Sequence, residues 1–152
     1  MATLVQFSRN IRRRGSSIQN NSARLVRRVG RAVLRELVNS TPVDKGVARS
    51  NWRVSVGNRT SVVIPAYAPG KKLGIGERSN ARAAISAGNA QIALITTGPS
   101  GRGAGQALFI SNNTEYIERL NNGYSSQAGA GFIEAATLRG RQEIRNFRLL
   151  RR

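Results

Sequence analysis

A strongly amphipathic pattern between residues 16 and 39 constrains the fold of this chain most. Apolar side chains recur there every four residues and so share one face of a helix. They are Leu25, Val29, Val33 and Leu37. The opposite face carries arginines at spacings of three and four, namely Arg24, Arg27, Arg28, Arg31 and Arg35. Because the only acid in this segment is Glu36, the arginine stripe is either a solvated face or a contact for an external anionic surface.

The ends of this helix are also predicted from the sequence. We expect a cap at Ser16 or Ser17 and an end near Asn39, because Pro42 cannot continue a helix. Residues 1–15 precede the helix as a basic arm that contains Arg12, Arg13 and Arg14. This arm is expected either to stay a solvated tail or to become ordered on a partner or on nucleic acid.

Alternating apolar and polar residues predict strands in the next part of the chain. Trp52, Val54 and Val56 alternate with polar residues, which is the pattern of a half-buried strand. Residues 61–64 are largely β-branched and come after a turn, so residues 51–64 are interpreted as a hairpin. Residues 65–79 are rich in loop-forming residues.

A segment of about residues 66–104 separates these strands from the remainder of the domain. Within it a helix is preferred for residues 79–95, although Gly88 interrupts the apolar stripe. A strand over residues 91–97 is the alternative. The glycine-rich loop at residues 98–105 lacks the Gly-Lys-Ser/Thr ending of a phosphate loop and is expected to be a plain loop.

The last third of the sequence predicts a strand and two helices. The strand covers residues 107–110, and a short helix over residues 114–120 can turn Tyr116 and Leu120 inward. Asn121, Asn122 and Gly123 stop that helix. The final helix runs from about residue 131 to 147, before a basic tail over residues 148–152.

These elements predict one α+β domain over residues 16–147. A small antiparallel sheet of three to four strands would pack against the long N-terminal helix and the C-terminal helix. A chain of 152 residues is long enough to bury such a core unaided.

The charge balance points to an anionic partner. The chain carries 25 Lys and Arg against 7 Asp and Glu, a formal net charge of +18. Such a surface repels itself and favours a polyanion or an acidic protein. Arginine, which supplies nearly all of this charge, suits bidentate contacts with phosphate or carboxylate.

Composition argues against an enzyme. The sequence has no Cys and no His, which removes disulfides, thiolate nucleophiles, the usual zinc sites and His-based acid–base catalysis. Glu115 and Glu118 lie three residues apart on a short helix, which does not build a cleft between two carboxylates. No apolar run approaches the roughly 20 residues that cross a bilayer. We therefore expect no catalytic residue, no cofactor, no metal, no small-molecule substrate and no membrane partner.

Two segments of the chain resemble the signature of a known family. The first is Thr41-Pro42-Val43-Asp44-Lys45-Gly46, with Arg49-Ser50-Asn51-Trp52-Arg53-Val54 after it. The second begins at Ser111 and reads SNNTEYIERLNNGYSSQAGAGF. In this order they resemble the tail-completion and head–tail joining proteins of tailed bacteriophages, of the minor-tail-component type.

This resemblance implies a structural protein of the virion, assembled in the host bacterial cytoplasm and placed where the tail meets the head. It also implies that about residues 66–104 are a helix-containing insertion between the two segments. Proteins of the family act as a ring, commonly sixfold, so the implied partners are further copies of the chain. Tail terminator or tube proteins, head-completion proteins and the packaged DNA backbone are the other implied partners. The motif residues would maintain the fold or a subunit contact, with packing inside one chain as the alternative for each: Trp52, Asn112, Asn113, Tyr116, Leu120, Gly123, Gln127 and Phe132.

The arginines are the candidate contacts to DNA or to acidic proteins. They are Arg12, Arg13, Arg14, Arg24, Arg27, Arg28, Arg31, Arg35, Arg145, Arg148, Arg151 and Arg152. If they line the lumen of a ring they would contact phosphates without reading sequence. If they face outward they would meet acidic neighbours. The alternative function is a sequence-independent nucleic-acid-binding protein that works outside any virion.

Overall fold

A computed structural model describes residues 3–70, 76–96 and 107–148 of the chain. Its helices are α1 (Leu4–Ser40), α2 (Val47–Ser50), α3 (Glu77–Ala93), α4 (Ile117–Asn121) and α5 (Phe132–Arg145). Its strands are β1 (Arg53–Val56) and β2 (Leu108–Ser111). The predicted α+β class, with a long N-terminal helix, an antiparallel sheet and a C-terminal helix, is confirmed.

The sheet is smaller than the sequence predicted. In the described ranges it has two strands, which pair antiparallel with Arg53 opposite Ser111 and Val56 opposite Leu108. The predicted three to four strands are therefore more than the described residues show, and the predicted hairpin over residues 51–64 is wrong. The reason is local: the side-chain amide of Asn51 accepts from the Ile64 N–H at 2.8 Å and donates to the Ile64 carbonyl at 2.7 Å. Because this side chain satisfies both backbone groups of Ile64, Ile64 needs no strand partner.

Helix α1 begins much earlier than expected. It spans 37 residues from Leu4, so the predicted start at Ser16 or Ser17 is wrong and most of the expected arm is helical. Thr3 and Gln6 form a capping box, in which each side chain accepts a hydrogen bond from the other residue's backbone N–H. This box satisfies two of the N–H groups that a helix start leaves free, and it moves the start ahead of the two serines.

The core lies where α1, α3, α5 and the sheet meet. Leu34 and Val38 of α1, Ile92 of α3 and Ala136 of α5 are fully buried there. Each fully buried Leu or Ile side chain contributes roughly 1.5–3 kcal/mol. The helix predicted for residues 79–95 is confirmed as α3, and Gly88 is the residue at which α3 touches Leu34.

The short helix α4 turns a different residue inward than the sequence suggested. Ile117 is buried at 8% exposure, whereas Tyr116 is 41% exposed and Leu120 is half-buried. The expectation that Tyr116 faces the core is therefore wrong: the helix begins at Ile117, three residues after the predicted start, and Tyr116 is its N-cap. The predicted stop holds, since Gly123 adopts φ +86°, a left-handed conformation that favours glycine.

Candidate nucleic-acid interface

An arginine-lined groove lies between α1 and α5. It has a volume of about 610 Å³ and is open to solvent on one side. Six arginines, two glutamates, Ala32 and Phe147 line it. The charged residues are Arg24, Arg27, Arg28, Arg31, Arg35 and Glu36 of α1 with Arg139 and Glu143 of α5. We call this surface the arginine groove.

Glu143 holds the two walls of the arginine groove together. Its carboxylate accepts a short hydrogen bond from Arg28 Nε across the helices and lies 3.3 Å from Arg139 on its own helix. Glu143 is only 8% exposed, so these charge-assisted contacts are partly shielded from water. At the same crossing Gly140 lets α5 approach closely, because a Cβ there would stand 2.7 Å from Val33 Cγ2.

The remaining α1 arginines of the groove have no carboxylate partner in the part of the chain that the structure describes. They are Arg24, Arg27, Arg31 and Arg35. From Arg24 to Arg35 they extend about 16 Å along the helix axis, at 1.5 Å per residue. A row of guanidinium groups of this length can hold several successive phosphates, and it offers no base-reading geometry.

The other predicted arginines lie elsewhere. Arg12, Arg13 and Arg14 are exposed in the first part of α1, and Arg145 and Arg148 are exposed near the end of α5. Arg151 and Arg152 lie outside the described residues. Sequence reasoning missed Arg139 and Glu143 as groove residues, although their spacing of four on one helix is the usual signal of a paired helix face.

Side chains of the first resemblance segment cap the C-terminal end of α1. Trp52 Nε1 donates to Thr41 Oγ1 at 2.7 Å, and that hydroxyl donates to the Leu37 carbonyl. Arg49, only 5% exposed, donates from Nη2 to the Thr41 carbonyl at 2.6 Å and to the Asn39 carbonyl at 3.2 Å. These bonds satisfy carbonyl groups that the helix end would leave without partners.

The second resemblance segment is bonded directly to the first. Gln127 accepts from the Val43 N–H and donates to the Val43 carbonyl, both at 2.9 Å. Asn112 Nδ2 donates to the Ala48 carbonyl at 2.8 Å, and its Oδ1 accepts from the Thr114 backbone and hydroxyl. Residues about 60 to 80 positions apart in the chain therefore form one structural unit.

Three further motif residues also have structural contacts within the chain. Asn113 Nδ2 donates to the Thr60 carbonyl at 2.9 Å. Phe132 is buried in the core at 4% exposure, and the partly buried Leu120 packs against that core.

A second groove lies between the two resemblance segments. It has a volume of about 700 Å³, and residues 42–48 form one wall. The other wall contains Tyr116, Leu120 and residues 124–127. Partial burial of the phenol raises the pKa of Tyr116, and the carboxylate of Asp44 raises it further. We call this surface the tyrosine groove.

Comparisons with known proteins add no family assignment. No family model matches the chain, and neither a curated protein nor a solved structure was found to be similar to it. None of the helices in residues 3–70, 76–96 and 107–148 is long and apolar enough to cross a membrane. The same residues contain no group of three or more acidic side chains placed to hold a metal ion.

Proposed function

We propose that this chain is a structural subunit of a tailed bacteriophage, placed in the neck where the tail is completed and joined to the head. Two features support the proposal. The segments that resemble the tail-completion family are hydrogen-bonded to each other as one unit. The arginine groove presents a row of cations without acidic partners in the described residues, and this is the observation that carries the proposal.

In this function the arginine groove contacts the phosphate backbone of duplex DNA. Guanidinium groups bind phosphate oxygens bidentately, and each contact releases counterions from the DNA. Such binding ignores base sequence, as packaged DNA requires. Several copies in a ring would add their positive potentials around the DNA. The chain's work is binding, without turnover.

Duplex DNA binding over a salt series tests the phosphate contact. The groove variant is Arg24→Gln, Arg31→Gln and Arg35→Gln, three exposed side chains of α1. The control variant is Arg59→Gln, Arg78→Gln and Arg82→Gln, which are exposed and do not line the groove. Both variants lose the same charge. We expect the slope of log K against log salt to fall in magnitude by about 2–3 in the groove variant, at about 0.9 per phosphate, and to stay near wild type in the control.

Two results would contradict this contact. Equal losses in the groove and control variants would mean that net charge alone attracts DNA and that the groove is not a site. Binding that does not change with salt would exclude phosphates as the ligand.

A nucleic-acid-binding protein that works outside the virion is the second candidate. One observation favours it: the arginine groove is complete within a single chain and needs no ring to form. Quantitative mass spectrometry of purified virions separates the two candidates. A fixed, small number of copies per particle supports the neck subunit, and absence from particles supports the second candidate.

A further inference from the structure

The first half of α1 presents an uncovered row of apolar side chains. Residues 3–20 are exposed throughout, and the apolar ones among them include Leu4, Phe7, Ile11 and Ile18. Their spacings of three, four and seven place them along one face of the helix. Phe7 is 62% exposed and Leu4 is 86% exposed. We call these four residues the apolar stripe.

The apolar stripe continues a face that is covered further along the same helix. Val29 and Val33 come after Ile18 at helical spacing, and α5 packs on them at Gly140. The stripe therefore has the form of a helix-packing surface for which the described part of the chain supplies no cover. Its length from Leu4 to Ile18 is about 21 Å.

Charge argues against two copies pairing through this same segment. Residues 1–35 contain no Asp or Glu. The part of α1 that carries the apolar stripe also carries four arginines, namely Arg9, Arg12, Arg13 and Arg14. Side-by-side association of two such helices would bring like charges together. The partner surface must therefore combine apolar side chains with carboxylates.

The tyrosine groove has this combination. Val43, Val47 and Leu120 are apolar side chains in its lining, and Asp44 belongs to its wall. Glu115 and Glu118 are exposed and lie within two residues of Tyr116 in the chain, outside the groove lining. Two cations are also present, Lys45 in the lining and Arg119, whose guanidinium stands 5.3 Å from the Tyr124 ring centre.

The groove lining thus has one carboxylate and one cation, and the neighbouring residues 115–119 add two carboxylates and one cation, on a chain whose net charge is +18. The carboxylates of Asp44, Glu115 and Glu118 form no ion pair with any residue in the described ranges. Tyr124 is 72% exposed, which leaves its ring available to a partner.

We propose that the apolar stripe of one copy docks into the tyrosine groove of a second copy. The choice of a second copy rests on the proposed function as a ring subunit. The contact is head-to-tail, because each subunit contributes a different surface at each of its two ends. Repeated head-to-tail contacts close into a ring when the rotation between neighbours divides a full turn.

The test uses two variants that each lose one surface. The stripe variant is Phe7→Glu with Ile11→Glu, and the tyrosine-groove variant is Glu118→Arg with Tyr124→Ala. All four side chains are exposed, so the fold should persist, which circular dichroism and thermal unfolding verify. Val62→Glu with Val63→Glu is the matched control for the stripe variant, because both valines are exposed and lie on neither surface.

We expect light scattering to show an oligomer for the wild type and for the control, and monomers for each variant alone. An equimolar mixture of the two variants should give a 1:1 dimer and nothing larger. The intact stripe of the tyrosine-groove variant can then bind the intact tyrosine groove of the stripe variant, and the other two surfaces are both mutated. A symmetric contact between two stripes would instead let the variant with Glu118→Arg and Tyr124→Ala assemble by itself, because its stripe is intact, and would give no 1:1 complex with the stripe variant.

Three outcomes would overturn the proposal. They are a monomeric wild type, a mixture that stays monomeric, and a stripe variant that assembles like the wild type. A monomeric wild type whose stripe binds anionic lipid vesicles, with loss of that binding in the stripe variant, would assign the stripe to a lipid surface instead. Failure of the docking proposal is distinguishable from failure of the DNA contact. Light scattering tests the first, whereas the salt slope of DNA binding tests the second and depends on the arginine groove.

Discussion

At the scale of single residues, side-chain amides replace the strand pairing that this small sheet does not provide. Asn51, Asn80 and Gln127 each accept from the N–H and donate to the carbonyl of one backbone residue. The paired residues are Ile64, Ala68 and Val43. A side-chain amide carries a donor and an acceptor in one plane and so can bond to both backbone groups of one residue. These residues therefore fix long irregular segments against the core.

Asn80 is the most sensitive of these amides, because it is fully buried. Its Oδ1 accepts from the Ala68 N–H at 2.8 Å and from Ser50 Oγ at 3.0 Å. Asn80→Ala leaves these donors without a partner, so we expect a loss of about 2–4 kcal/mol in the free energy of unfolding. Urea denaturation measures it. Asn58→Ala, at an exposed turn, is the control and should change stability by less than about 0.5 kcal/mol.

Glu134 gives a pH-dependent contribution at the start of α5. A hydrogen bond from the Asn121 side chain lowers the pKa of Glu134 below its usual value, with help from its own backbone N–H. A lowered folded-state pKa means stability that is complete above the unfolded value of about 4.5 and is lost as pH falls through the folded value.

Glu134→Gln should therefore be less stable than the wild type at pH 6, and the difference should shrink as the pH is lowered below about 4. Thermal unfolding of both proteins at pH 6 and pH 3 measures the difference. Asn121→Ala should remove the same pH dependence. A difference that stays constant with pH would contradict the assignment.

At the scale of helices and strands, periodicity in the sequence predicts the regular elements, whereas specific side-chain bonds decide features that periodicity does not carry. Periodicity correctly predicted the part of α1 over residues 16–39, strand β1 and helix α3. The start of α1 was missed because Ser16 and Ser17 are good caps in isolation, while Thr3 and Gln6 provide a better one. The prediction of a second hairpin strand was wrong because Val62 and Val63 face solvent and the Ile64 N–H is bonded to the Asn51 side chain.

Substituting Ala for Gly is expected to have opposite effects on stability in two helices, α1 and α3. Gly15 lies in the exposed half of α1, and a Cβ there would meet nothing within 4 Å. Gly15→Ala should therefore stabilise this half of the helix by about 1 kcal/mol through helix propensity. Hydrogen exchange of the amides in residues 7–20 should slow in this variant.

Gly88→Ala is the counterpart within the core. A Cβ at Gly88 would stand 2.4 Å from Leu34 Cδ2 and 2.9 Å from Val54 Cγ2, both buried side chains. We expect a loss of about 1–3 kcal/mol from overpacking, measured by urea denaturation. A neutral effect would mean that α3 can move away from α1 without cost. The glycine that weakened the helix prediction for α3 is thus the residue that lets α3 pack.

At the scale of the whole molecule, the basic face was predicted from arginine spacing, but the groove was not. Spacing along α1 assigns arginines to one side of one helix. The second wall requires α5 to lie alongside α1, which depends on the close approach at Gly140 and on the contact of Glu143 with Arg28. Contacts between residues more than a hundred positions apart leave no periodic signal in a single sequence. The same limit hid the bonds that join the two resemblance segments.

The net charge of +18 should make the folded chain and its DNA complex respond to salt in opposite directions. Salt screens repulsion among the arginines, so we expect unfolding to require about 1–2 kcal/mol more at 300 mM than at 50 mM NaCl. That corresponds to a rise of about 3–6 °C in Tm. DNA affinity should fall over the same range, because salt opposes counterion release. Differential scanning fluorimetry and fluorescence anisotropy, in the same buffers, measure the two responses.

The variant with Arg24, Arg31 and Arg35 changed to Gln should show a smaller rise in Tm, because less repulsion remains in the arginine groove to be screened. A Tm that falls with salt would mean that attractive ion pairs outweigh this repulsion, and the cations of the groove would then have partners.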